Sequence, residues 1–205
     1  MPTGGRPTFS FGSSGILSQQ IENGAPLDLF AAADRSYVEG LRQKGMILPD
    51  SEVLYARGKL VLAGAAGVKI GAGRLEDLLD PAIKKVALAN PDHAPYGRAA
   101  REALQKAGIW TRLESKLVYG NNIRDTQTLV ETGNAEEGLL ALSLVKNSAL
   151  RYTLVDQALY QPLDQAMAVV KRSKNQDLAR KFIQLVRGPE GRAILEKYGF
   201  EVPAK

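Results

Sequence analysis

Along the chain, short apolar runs alternate with longer amphipathic stretches, and glycine, proline and asparagine punctuate them. Thr8-Phe9-Ser10-Phe11 alternates and predicts a short strand, which runs through Gly12-Ser13-Ser14-Gly15 into an amphipathic helix, Ile16 to Ile21. Gly24-Ala25-Pro26 ends that helix, and residues 27–32 predict a buried strand. Asp34 is the expected N-cap of a helix over 36–44, with Gly45 as its stop. Further strands are expected at 59–63, 86–89, 117–119 and 138–144, with helices at 75–79, 98–107 and 123–132 interleaved. Extended segments are expected over 152–160 and 165–171, then two closing helices, 175–186 and 189–198.

Strands alternating with helices of roughly 10–15 residues predict an α/β protein whose parallel-rich sheets are flanked by helices. No internal repeat, low-complexity tract or linker divides the chain. Two lobes joined by crossing strands would account for the missing linker.

Composition changes this picture little, but it removes whole classes of function. With 44% hydrophobic residues in 205, the chain can bury a core without staples, and the absence of cysteine excludes disulfides and thiolate metal sites. The net charge of +5 raises the question of nucleic acid. The basic positions (Lys69, Arg74, Lys84, Lys85, Arg98, Arg101, Lys106) are instead scattered among acids, and the densest group, Lys171-Arg172-Ser173-Lys174, is broken by a serine. A diffuse positive field favours capture of a small anion instead. No apolar run approaches the length of a membrane span, and the polar, Gly/Pro-rich segment 1–7 is not the hydrophobic region of a signal peptide.

Three polar turns that enter helices carry the candidate chemistry. They are Phe11-Gly12-Ser13-Ser14-Gly15, Pro95-Tyr96-Gly97 and Asn121-Asn122-Ile123-Arg124. The N–H groups of a helix's first turn have no intrahelical acceptor, and the helix dipole favours negative charge there. Each turn alone reads more readily as a mere cap than as a binding site. Three of them at the C-terminal ends of strands point to an anion cradled by hydroxyls and amides. Catalytic signatures are missing: His93 is the only histidine, no GxSxG elbow exists, and zinc ligands are too few. The pairs Glu76-Asp77 and Glu136-Glu137 read as solvated faces, and Trp110 as a packing residue. The expectation is a protein that is not an enzyme and that has no cofactor.

Several strings resemble one family. Ser10-Phe11-Gly12-Ser13-Ser14-Gly15, then Gln20 through Asp34 (QIENGAPLDLFAAAD), Pro91 to Gly97 with Glu102-Ala103-Leu104, Gly120-Asn121-Asn122-Ile123, and Gly188-Pro189-Glu190-Gly191 to Phe200 all look like the periplasmic molybdate-binding proteins of ABC transporters. The likeness runs from residue 8 to about 203. It implies a two-lobed type II periplasmic-binding-protein fold with two crossover strands as hinge. Lobe 1 would be residues 1–62 plus 162–205, and lobe 2 residues 63–161. It implies molybdate or tungstate as ligand, with no metal beyond that oxyanion, bound by the Ser14 hydroxyl with Ser13 beside it and by the backbone amides of Tyr96 and Ile123. It also implies a periplasmic location and an inner-membrane ABC permease as partner; an anion sensor on the same fold is the alternative. Neutral donors avoid the desolvation cost of a buried ion pair, and cavity size would reject sulfate.

Two departures stand out. Members of the family begin with a further strand, turn and helix whose turn supplies more donors, and this chain is expected to lack them. Each lost charge-assisted donor costs about 1.5–3 kcal/mol, so the isolated chain is expected to bind weakly or not at all. Some members also carry a tyrosine where this chain has Ala141.

Overall fold

The computed structural model describes residues 6–65 and 73–203; Lys69 and most of the 1–7 segment lie outside the described residues. The elements run α1 (Ser14–Glu22), β1 (Leu29–Ala32), α2 (Arg35–Gln43), β2 (Val53–Gly58), β3 (Leu60–Gly64), β4 (Val86–Ala89), α3 (Pro95–Lys106), α4 (Trp110–Leu113), β5 (Leu117–Gly120), α5 (Ile123–Glu131), β6 (Glu137–Ala141), α6 (Leu142–Val145), β7 (Arg151–Leu154), β8 (Leu163–Val169), α7 (Gln176–Arg187) and α8 (Pro189–Lys197). They form two compact units. One holds the chain up to Arg57, Asp164–Lys197 and the residues from Glu201; the other holds Gly58–Leu163 and Tyr198–Phe200.

The first unit is built on a sheet of order β1-β8-β2, with Leu29 opposite Val169 and Ala32 opposite Ala166 in antiparallel register. Side chains alternate across a strand, so Phe30, Ala32, Ala166 and Ala168 pack under α1 and α2 with Ile21, Val38 and Leu41. Met167 and Val169 face the other way, against Ala179 and Ile183 of α7. Arg172 donates to the carbonyls of Ile21 and Ala25, both at 2.7 Å, and so ties the end of α1 and the turn after it to the segment that follows β8. Arg57 pins its segment twice. Its backbone exchanges hydrogen bonds with Glu201 at 2.7 and 3.0 Å, and its Nε donates to Asp164 Oδ1 at 2.5 Å.

The strand expected at 8–11 does not form. Among the described residues no strand pairs with it, and its aromatic rings find side-chain partners instead. Phe9 stacks on Phe11 with centroids 6.1 Å apart and leans on Phe182 of α7 at 6.2 Å. Strand β2, which the pattern did not announce, supplies the edge of this sheet.

The second unit contains a mixed sheet of order β5-β4-β6-β3-β7. β4 runs parallel to β5 and β6, while β3 is antiparallel to β6 and β7. Val61, Ala63, Ala87 and Leu140 fill its core together with Val130 of α5. The run expected to stay extended to residue 144 turns at Ala141. Leu142 donates to the Lys59 carbonyl, and its own carbonyl accepts from Lys146, which starts the short helix α6.

Glu137 corrects the reading of Glu136-Glu137 as a solvated face. Glu136 is half-buried and accepts from the amides of Lys84 and Lys85, whereas the Glu137 side chain is fully buried and pairs with Arg151. The register explains how. Gly64 of β3 lies opposite Glu137 on one side and opposite Arg151 on the other. With no side chain at Gly64, the two partners meet over it, and a Cβ there would overlap both. Burial pushes the Glu137 carboxyl above its ordinary value of 4.5, and the Arg151 charge pulls back against that shift.

Candidate functional site

Helix α1 begins where the Gly-Ser turn leaves extended backbone: Ser13, the N-cap, sits at φ −70°, ψ 149° and makes no side-chain cap. The first intrahelical bond runs from Leu17 N to Ser13 O at 3.0 Å, so the amides of Ser14, Gly15 and Ile16 precede it. Both serines are buried. Ser14 Oγ accepts from the Ala33 amide at 3.0 Å, which ties the helix start to the end of β1. That bond uses one lone pair of the oxygen and leaves the hydroxyl proton for donation to another partner. The sequence marked Ser14 but not Ala33, because an alanine's amide has no compositional signal.

Helix α3 starts at Ala94, which has no side chain able to cap, and continues through Pro95, which has no N–H. The amides of Tyr96 and Gly97 therefore open the donor row of this helix, ahead of Arg98, whose N–H bonds to Ala94 O at 3.0 Å. The preceding loop wraps around Asn90: its carbonyl accepts from Ala94 at 2.9 Å and its side chain from the Asp92 amide at 2.9 Å. Gly97 is placed so close to the end of β4 that a Cβ would overlap the Ala89 carbonyl oxygen. This is close packing of a helix start on a strand end, and only glycine permits it.

Helix α5 is capped differently. Asn122 Oδ1 accepts from the amides of Arg124 at 2.9 Å and Asp125 at 3.0 Å, and the Asn122 carbonyl takes the Thr126 amide and hydroxyl. Of the first-turn donors, these bonds leave the Ile123 amide. Gly120, at the end of β5, has the Thr126 nitrogen 2.6 Å from where a Cβ would stand, so this helix too folds tightly back on its strand.

The structure brings Tyr96 and Ile123 to the same end of one sheet, since β4 and β5 are parallel neighbours and Ala89 lies opposite Gly120. Ser13 and Ser14 belong to the other unit. The donors at these helix starts are uncharged. The first turns of α1 and α3 carry no acid that would compete for the dipole field; that of α5 carries Asp125. His93 lies in the loop ahead of α3, and among the described residues no cluster of three His, Cys, Asp or Glu side chains could hold a metal ion. No described helix is long and apolar enough to cross a membrane.

The profile of a family described as bacterial extracellular solute-binding proteins matches residues 3–201. The molybdate-binding protein ModA of Rhodobacter capsulatus is 36% identical over 203 residues, covering 97% of this chain and 78% of that protein. The solved periplasmic molybdate-binding protein of Azotobacter vinelandii superposes with a TM-score of 0.92 at 30% identity, covering 98% of this chain and 90% of the other. The substrate-binding domain of a molybdenum ABC transporter from Clostridium difficile gives a TM-score of 0.72 at 29% identity, covering 99% and 89%.

Proposed function

The chain belongs to the bacterial extracellular solute-binding protein family, alongside the molybdate-binding proteins, and on that premise we propose that it captures molybdate or tungstate for an ABC importer. Its fold is the type II periplasmic-binding-protein fold, and the relatives are binding proteins rather than enzymes. In this reading the two compact units are the two lobes, and the Ser13-Ser14 turn and the Tyr96 and Ile123 amides are the oxyanion's donors. The protein works in the periplasm and hands the anion to an inner-membrane permease.

One observation carries the reading. The bond from the Ala33 amide fixes the buried Ser14 oxygen at a helix start without using its proton, and a hydroxyl with a proton to donate suits a ligand made only of acceptors. A tetrahedral dianion gripped by uncharged N–H and O–H groups avoids the penalty of burying opposed charges. Fixed donors also select by size, because a smaller tetrahedron cannot reach all of them at hydrogen-bonding distance.

A thermal-shift series with molybdate, tungstate, sulfate and phosphate tests this. Molybdate and tungstate should raise the melting temperature together, by about 2.7 kcal/mol of stabilisation at 100 times the dissociation constant, while sulfate and phosphate do little. Equal shifts with all four anions, or none, would refute it. Within the same series, Ser14→Ala should weaken molybdate binding about 10- to 100-fold, the worth of one donor to a charged acceptor. Calorimetric titration of the variant reads that loss directly.

A further inference from the structure

We propose that Asn122 is a positioning residue that sets anion selectivity by occupying the amides next to the one that binds; this rests on the function proposed above. Of the three candidate helix starts, only α5 has a side-chain cap: Ser13 makes none and Ala94 has no group to make one. The Asn122 carboxamide oxygen takes two adjacent N–H groups at once, from Arg124 at 2.9 Å and Asp125 at 3.0 Å. Its carbonyl takes the Thr126 amide at 3.1 Å and the Thr126 hydroxyl at 2.9 Å. Four donors of the α5 start thus converge on one residue, and Ile123 is the first-turn amide they leave. An uncapped helix start offers a row of amides along which an oxyanion can slide. The capped start of α5 offers one donor with one direction. A single directed donor measures the size of a tetrahedron, whereas a row of donors tolerates several sizes.

Ordinary capping and positioning can be separated, because glycine is nearly as good an N-cap as asparagine for helix stability yet has no oxygen to occupy the Arg124 and Asp125 amides. The extended backbone of Asn122, φ −152° and ψ 175°, accepts glycine without strain. Asn122→Gly should therefore melt close to wild type, bind molybdate roughly 10-fold more weakly, and lose most of its preference for molybdate over sulfate. Asn122→Ser, which restores a capping oxygen, should recover both affinity and preference. Asp156→Gly is the control: Asp156 Oδ1 caps a short helical turn through the Ala158 amide at 2.9 Å, apart from the three candidate helix starts, and its loss should leave binding unchanged. Calorimetric titration of the wild type and the three variants with sodium molybdate and with sodium sulfate reads all of this. An Asn122→Gly protein with wild-type affinity and preference overturns the proposal, as does an equal loss in Asp156→Gly. A wild-type chain that binds neither anion overturns the functional reading itself and this inference with it.

Discussion

Replacing Arg151 with alanine should destabilise the protein by about 3 kcal/mol at neutral pH, with a deficit that shrinks on acidification. The cost comes from what is left behind. Glu137 is fully buried, and Arg151 is the cation that faces it across Gly64. Breaking a buried pair from one side typically costs about 3–5 kcal/mol, and the lower end applies because Arg151 is itself about one-third exposed. The pH dependence follows from the carboxyl. Burial already raises its pKa above 4.5, and Arg151 opposes that shift, so removing Arg151 raises it further. A folded-state pKa above the unfolded one means stability that is complete below the unfolded value and lost as pH rises through the folded value. The deficit of Arg151→Ala should therefore grow with pH from about 4.5 upward, seen in denaturant melts at several pH values. The double variant Glu137→Leu/Arg151→Leu should recover most of the loss, because a buried pair is often replaced by apolar side chains at little cost. A flat pH profile for Arg151→Ala would contradict this account of the pair.

Substituting Gly97 with alanine should weaken oxyanion binding by about 100-fold or more while costing about 1–3 kcal/mol of stability. The added methyl group would overlap the Ala89 carbonyl oxygen, and backbone cannot rotate out of the way as a side chain can. Helix α3 must then move off the end of β4, which displaces the Tyr96 and Gly97 amides together. Hydrogen bonds to a charged acceptor weaken steeply when donors shift by a few tenths of an ångström, so binding suffers more than folding. By contrast Gly108→Ala, where no atom lies within 4 Å of the added carbon, changes backbone preference alone (φ +70°) and should leave affinity intact. Calorimetric titration of both variants against molybdate distinguishes these outcomes. Wild-type affinity in Gly97→Ala would mean that the start of α3 is not part of the binding machinery.

The parts legible in the sequence were those written in local chemistry. β4 lies where the apolar run placed it, and Gly45, Gly108 and Gly199 follow their helices with positive φ as stop signals do. The Asp34 cap is made as expected, and the Pro-Tyr-Gly and Asn-Asn-Ile turns do open helices. What the pattern concealed depends on register. Val53-Leu54-Tyr55-Ala56 lacks clean alternation because this edge strand is partly buried on both faces, and its role emerges only from pairing beside β8. Glu137 looked solvated because its cation lies 14 residues away on a strand that reaches it across a third. Likewise, Ser14 could be marked as a donor from its place in the turn, but the Ala33 amide that bonds to its oxygen is contributed from just past a strand end 19 residues on. Side chains announce themselves in sequence, whereas backbone donors do so only through the fold.

Molybdenum scatters X-rays anomalously, so a crystal of this chain grown with molybdate locates the metal without reference to any assumed site. The account predicts one strong peak, with oxyanion oxygens about 2.7–3.2 Å from Ser14 Oγ and from the amide nitrogens of Tyr96 and Ile123. A peak held instead by lysine or arginine side chains, with those three groups facing elsewhere, would contradict it.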